Sequence, residues 1–225
     1  MQQSSDMLTF PKSANVTPFK LEPENYYLFD LTRKNEALRE IDFNDRHGFD
    51  EYIFQKLENE KKAFGIGRYN EDRVIYNTDV FSGEERRSIH LGIDIWAPAG
   101  TPVFAPYRGR VHSVANNSSQ GDYGPTVILE HTLDEATFYT LYGHLTITDL
   151  DHLSPGDHIQ EGECFAHYGT YEENVHYPPH LHFQVILDIG NAAGDFPGVC
   201  KPSERQIWIN RCPDPNLILQ IPGIR

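Results

Sequence analysis

With 225 residues, 39% of them hydrophobic and 12% aromatic, the chain can bury a sizeable core, which excludes a disordered protein. No run approaches the ~20 apolar residues of a membrane-spanning helix, and a formal charge of −14, from 33 acids against 19 bases, repels nucleic acid, anionic lipid and anionic wall polymers. Neither nucleic acid nor a membrane is therefore an expected partner. Cys164, Cys200 and Cys212 are an odd set without CxxC spacing, which argues against a closed disulfide framework and against a thiolate zinc knuckle. Their ordinary role is that of buried or idle thiols, although Cys200 and Cys212 could pair in an oxidising compartment.

The segment Met1 to Pro11 has neither a basic n-region nor an apolar h-region. The expected address is the cytoplasm, with the periplasm or the exterior, reached by another export route, as the alternative. Residues 1 to about 25 hold scattered Ser, Asn and Pro and read as an arm that is loose or laid over the core. Asn25 to Leu31 fits a short strand. From Asp50 to Ala63, Tyr52, Ile53, Leu57 and the following Phe64 recur near helical spacing, with Gly65 placed to stop the helix. No chemistry is expected from the first ~80 residues, which form an N-terminal extension (1–80) ahead of a second unit (81–225).

From Ser88 onward the texture changes to short runs of Val, Ile, Tyr, Phe and Thr between Gly, Pro and Asp turns, the pattern of a mainly β, antiparallel sheet. Expected strands are Ile89 to Ile95, Thr101 to Ala105, Gly109 to Ala115, Thr126 to His131, Phe138 to Leu145, Glu163 to Tyr168 and His180 to Leu187. Pro102, Pro106 and Pro125 belong at strand starts or turns, because proline cannot donate to a central ladder.

Most of the eleven histidines lie in no ligand spacing and need no special role. His180-Leu181-His182 differs, because residues i and i+2 of a strand share a face and stand roughly 6 to 7 Å apart at Cα. One imidazole can bind a metal while the other addresses a water. His90-Leu-Gly-Ile-Asp94 adds an imidazole and a carboxylate at even spacing, with Gly92 between them leaving room for a metal and its water to approach the backbone. Two histidines and one aspartate make three ligands for Zn²⁺ with a fourth tetrahedral position open, the arrangement of catalytic zinc. Tyr142-Gly-His144-Leu ends another aromatic strand that could face the same place.

Taken in order, HxGxD, GHL and HLHF resemble the motif set of the lysostaphin/LytM-type zinc endopeptidases of peptidase family M23. The likeness runs over roughly residues 88 to 187 and includes Ala97-Pro-Ala-Gly-Thr-Pro-Val-Phe-Ala-Pro, Thr126 to His131 and Pro155 to Gly162. The resemblance implies an antiparallel LytM-type core behind an α-containing extension, His90, Asp94 and His182 as zinc ligands, and His180 and His144 as the pair that handles protons. It further implies a peptide substrate, with peptidoglycan fragments the family's usual one.

This chain departs from the family in its longer Tyr171 to Pro179 approach and in a tail carrying Gly194 to Pro202 and Cys212 to Asn216. No HExxH is present to supply a glutamate base. His180 is then the candidate base and His144 donates to the oxyanion or holds the water, an assignment that sequence leaves open. Two other readings use the same residues: a non-catalytic, zinc-binding regulatory domain, and a non-haem iron enzyme built on a two-histidine, one-carboxylate triad. H-x-x-x-D spacing and the extra histidine of HLH speak against iron. Oligomeric state is not written in the sequence.

Overall fold

The computed structural model describes residues 10–43, 46–76 and 85–224. The expected boundary near residue 80 lies outside them. Twelve strands are present among the described residues: β1 (Tyr26–Leu28), β2 (Phe64–Gly67), β3 (Ile89–His90), β4 (Ile93–Trp96), β5 (Pro102–Phe104), β6 (Gly109–Asn117), β7 (Gly124–Leu133), β8 (Ala136–Gly143), β9 (His158–Ile159), β10 (Cys164–His167), β11 (His180–Ile186) and β12 (Val199–Cys200). Eight of them form one sheet in the order β1-β2-β4-β11-β8-β7-β6-β9, antiparallel except for the β1–β2 pair. The fold is mainly β, as the alternation of the sequence predicts. Two small pairings, β5 with β10 and β3 with β12, complete it.

The two strands from the first 80 residues join this same sheet, because β2 pairs with β4 at Gly65↔Trp96 and Gly67↔Asp94. The amphipathic helix α1 spans Arg46–Asn59 rather than Asp50 to Ala63. Its stop is a left-handed Lys61 (φ 54°), with the Lys62 amide reaching back to the Leu57 carbonyl, so a capping turn ends the helix before Gly65 is reached. Gly65 serves packing instead: a Cβ there would stand 2.4 Å from Cε2 of Phe29.

The expected strand Ile89 to Ile95 is two strands. At Leu91 and Gly92 the chain passes from β3, paired with β12, to β4, paired with β2 and β11. One face of the large sheet carries Ile93, Ile95, Val127, Leu129, Leu181, Phe183 and Val185 into the main core, which the arm covers with Phe10, Val16 and Leu21. The arm is thus laid over the core, tied by hydrogen bonds from the Phe104 amide to the Val16 carbonyl and from the Ala14 amide to the Pro106 carbonyl. On the opposite face, Trp96 leads into a cluster with Phe29, Leu31 and helix α1, while Ile128, Leu141 and Ile186 lead into a second cluster with Cys200 and Cys212. The polar residues of β4 and β11 lie between these two clusters.

Phe29 is fully buried and packs edge-on against Trp96 at 5.2 Å between centroids, so it fastens the N-terminal segment to the sheet. Phe29→Ala is expected to lower the unfolding free energy by about 3–5 kcal/mol while the urea transition remains single. Two separate transitions would show that the N-terminal segment folds apart from the sheet.

Candidate metal centre

Strand register brings the predicted residues together. On β11, His182 stands opposite Asp94 of β4 on one side and Gly143 of β8 on the other, and His180 stands opposite Trp96. His90 arrives from the neighbouring two-stranded pair through the bend at Gly92, not along one face of a single strand. Gly92 is required there because a Cβ would lie 2.6 Å from Cε1 and Nε2 of His182 and 2.8 Å from the Phe183 carbonyl. The space it leaves is filled by the His182 imidazole, where the sequence suggested room for the metal itself. His144 follows β8 in the left-handed region (φ 67°) and places its ring 4.0 Å from that of His180, centroid to centroid.

His90 Nε2, Asp94 Oδ1 and His182 Nδ1 form a triangle with sides of 3.0, 3.2 and 3.2 Å. All three residues are buried. Donors at the about 2.0–2.2 Å bond lengths of tetrahedral zinc stand about 3.3 Å from one another, so this triangle matches one face of such a tetrahedron. Hydrogen bonds behind the ligands strengthen the fit. His90 Nδ1–H donates to the Arg68 carbonyl at 3.0 Å, and His182 Nε2–H donates to Gln184 Oε1 at 2.9 Å. Both tautomers then turn an unprotonated nitrogen toward the Asp94 carboxylate, and three lone pairs converge where only a cation offsets their repulsion.

The carboxylate is anchored too. Arg73, wholly buried, donates to Asp94 Oδ2 and, through Nε, to Glu71 Oε2 at 3.0 Å. Burial alone would raise the Asp94 carboxyl, but the neighbouring His90 and Arg73 hold it well below the usual carboxylate range. Burial and the Arg73 charge push His90 down to about 3, and burial pushes His180 down to about 4. His144 is lowered as well, by burial and by His180. All of these imidazoles are therefore neutral at pH 7, the state that binding a metal or accepting a proton requires.

The centre opens into a cleft of about 350 Å³, lined by His144, His180, His182, Tyr123, Tyr177 and Asp122 among others. His180 Nδ1–H donates to the Pro178 carbonyl at 2.7 Å, which leaves Nε2 unprotonated and 3.9 Å from Asp94 Oδ1. The remaining histidines play other parts. His131, buried and pushed down to about 4 by burial, bridges the Arg108 carbonyl and the Thr140 hydroxyl as a core residue. His176 packs edge-on against Tyr171 at a second cavity, away from the metal centre's cleft. Cys200 and Cys212 are buried free thiols, raised to about 11 and about 12 by burial, and Cys212 Sγ accepts from Gln184 Nε2 at 3.4 Å.

Sequence reasoning missed Arg73, Glu71 and Arg68, having expected no chemistry before residue 80. They lie in irregular chain that carries no periodic signal. Gln184 was legible, two residues beyond His182 on the same face of β11.

The fold brings together three buried donor residues that could hold a metal ion, beside two further buried histidines. Residues 88–193, just under half of the chain, match the model of peptidase family M23. It is 29% identical over 130 residues to an uncharacterized metalloprotease of Haemophilus influenzae, covering 55% of this chain and 25% of that protein. It is 32% identical over 94 residues to the uncharacterized lipoprotein YgeR of Escherichia coli, covering 42% and 33%. A zinc-containing peptidase from Vibrio cholerae of known structure is 28% identical, covering 44% of this chain and 28% of that one, with a TM-score of 0.33. The match with the two curated relatives spans only a quarter and a third of their lengths.

Arg73→Met keeps the packing of the arginine stem and removes the anchor of Asp94. It is expected to weaken zinc binding about 10- to 100-fold, measured by competition with a chromogenic chelator. Unchanged affinity would contradict the anchoring role. A second expectation concerns pH. Because His90 and His180 titrate near 3 and 4 in the folded protein against an ordinary 6.5, the unfolded chain binds protons below pH 6.5 that the folded one refuses. Stability of the metal-free protein therefore falls as pH drops from about 6.5 toward 4, seen as a declining urea midpoint. A flat midpoint across that window would show that these imidazoles are not held neutral.

Proposed function

We propose that the chain is a zinc-dependent metalloendopeptidase acting on small or cross-linked peptides, with peptidoglycan-derived peptides as the substrate class. The observation that carries this reading is the convergence of three unprotonated donor atoms beside His180 and His144, two neutral imidazoles that the metal does not require. His90, Asp94 and His182 would hold the ion. Bound zinc supplies Lewis acidity toward the scissile carbonyl and acidifies a water to near neutral pKa. His180 Nε2, with its lone pair fixed by the bond to Pro178, accepts the proton of the attacking water and passes it to the leaving amine. His144, its ring tilted close against that of His180 at the same cleft, steadies either that water or the developing oxyanion.

The family supports peptide-bond hydrolysis. A cleft of a few hundred cubic ångströms suits a peptide segment. The chain's own charge of −14 opposes adsorption to an anionic wall polymer, which favours released peptide fragments over intact sacculi. A relative that is a lipoprotein supports an envelope address over the cytoplasmic one. Among the described residues no helix is long and apolar enough to cross a membrane.

The test is mass spectrometry of products after zinc-loaded protein meets soluble muropeptides and purified peptidoglycan. Wild type is expected to release new peptide fragments. His182→Ala should lose both zinc and cleavage, whereas His180→Ala should keep zinc and lose about 10²- to 10⁴-fold in kcat. A zinc-loaded protein that cuts neither substrate would remove peptidoglycan peptides as the substrate class, and His180→Ala at full activity would remove His180 as the base.

A further inference from the structure

The Tyr171 to Pro179 segment, one of the points at which this chain departs from the M23 pattern, is bent into an unusual conformation. Two successive residues, Val175 (φ 45°) and His176 (φ 66°), are left-handed. A β-branched valine is rarely found there, and such strain persists only where the surroundings over-determine it. Immediately before them stands Asn174, with no exposed surface.

The carboxamide of Asn174 is oriented by its neighbours. Nδ2 donates to the Pro178 carbonyl at 3.1 Å, the same oxygen that accepts from His180 Nδ1–H. Oδ1 therefore faces away from Pro178. Both Asn174 Oδ1 and His144 Nδ1 are buried polar atoms without a hydrogen-bond partner among the described residues. Asn174 Nδ2 also stands 3.5 Å from His180 Nδ1, and the His180 ring lies 4.0 Å from that of His144, centroid to centroid, which puts the carboxamide beside both imidazoles. An amide oxygen can only accept, so a small adjustment satisfies both atoms if Nδ1 of His144 carries the proton.

We infer that Asn174 is a positioning residue that fixes His144 as its Nδ1–H tautomer while bracing, through Pro178, the carbonyl that fixes His180 in the same form. Both imidazoles then turn an unprotonated Nε2 toward the reaction. A water has two hydrogens, and two acceptors suit it: His180 takes the transferred proton and His144 holds the other hydrogen. His144 in this form has no proton to give a developing oxyanion, so the choice left open above falls on water holding. The role of the water rests on the peptidase reading; the tautomer does not.

Long-range ¹H–¹⁵N correlation spectra of the zinc-loaded, ¹⁵N-histidine-labelled protein report which ring nitrogen carries the proton. His144 is expected as Nδ1–H in wild type and in Asn174→Asp, which keeps the acceptor, and as a mixture or Nε2–H in Asn174→Ala. Zinc content should stay at the wild-type level in both variants. On a cleaved peptide, kcat of Asn174→Ala should fall about tenfold or more with KM within about twofold. Nε2–H in wild type, or an unaltered Nδ1–H in Asn174→Ala, overturns the assignment. Should the alanine variant fail to fold, the wild-type and Asn174→Asp spectra still decide. If no peptide is cleaved, the peptidase reading falls while the spectra continue to test the tautomer.

Discussion

Three lone pairs pointed at one another are the constraint on which this structure depends. His90 Nε2, Asp94 Oδ1 and His182 Nδ1 stand 3.0 to 3.2 Å apart, and with the ring protons of both histidines turned to their outer partners the arrangement costs free energy until a cation occupies the centre. Nothing in a single strand would hold them so. Each is fixed from behind by a group with its own anchorage: the Arg68 carbonyl for His90, Arg73 for Asp94, and Gln184 for His182. Gln184 is held in turn by the Pro197 carbonyl and Cys212. The C-terminal tail, which looks like an appendage in sequence, is thereby tied to His182.

The same logic explains why the N-terminal residues cannot be read as a separate attachment. β2 pairs directly with β4, and the chain leaving it supplies Arg68, Glu71 and Arg73. A buried arginine flanked by two carboxylates is costly to assemble and costly to break. It makes geometric sense here because it presents one carboxylate oxygen to the centre and ties up the other. Phe29 and Trp96 close the apolar layer over this ion cluster and keep water from screening it.

Much of this was legible in the sequence, for identifiable reasons. The period-2 alternation of β6, β7, β8 and β11 reports directly on a sheet with two different faces, and HLH on such a strand fixes two imidazoles on one of them. The Ile89 to Ile95 run misled because a strand that changes partners at Gly92 keeps its β-prone composition while losing continuity. The stop of α1 was misplaced because a lysine, not a glycine, adopts the left-handed cap. Arg73 and Asn174 were invisible because their importance arises from contacts with residues that are distant in the chain or folded back in an irregular loop.

The central claim is that a single ion sits on the His90, Asp94 and His182 triangle with its fourth position open toward His180 and the cleft. Anomalous diffraction from zinc-loaded crystals, collected on both sides of the zinc absorption edge, tests it most directly. The account predicts one strong peak per chain at about 2 Å from His90 Nε2, Asp94 Oδ1 and His182 Nδ1, with no fourth protein atom bound. A peak elsewhere, or a fourth ligand supplied by His180 or His144, would contradict it.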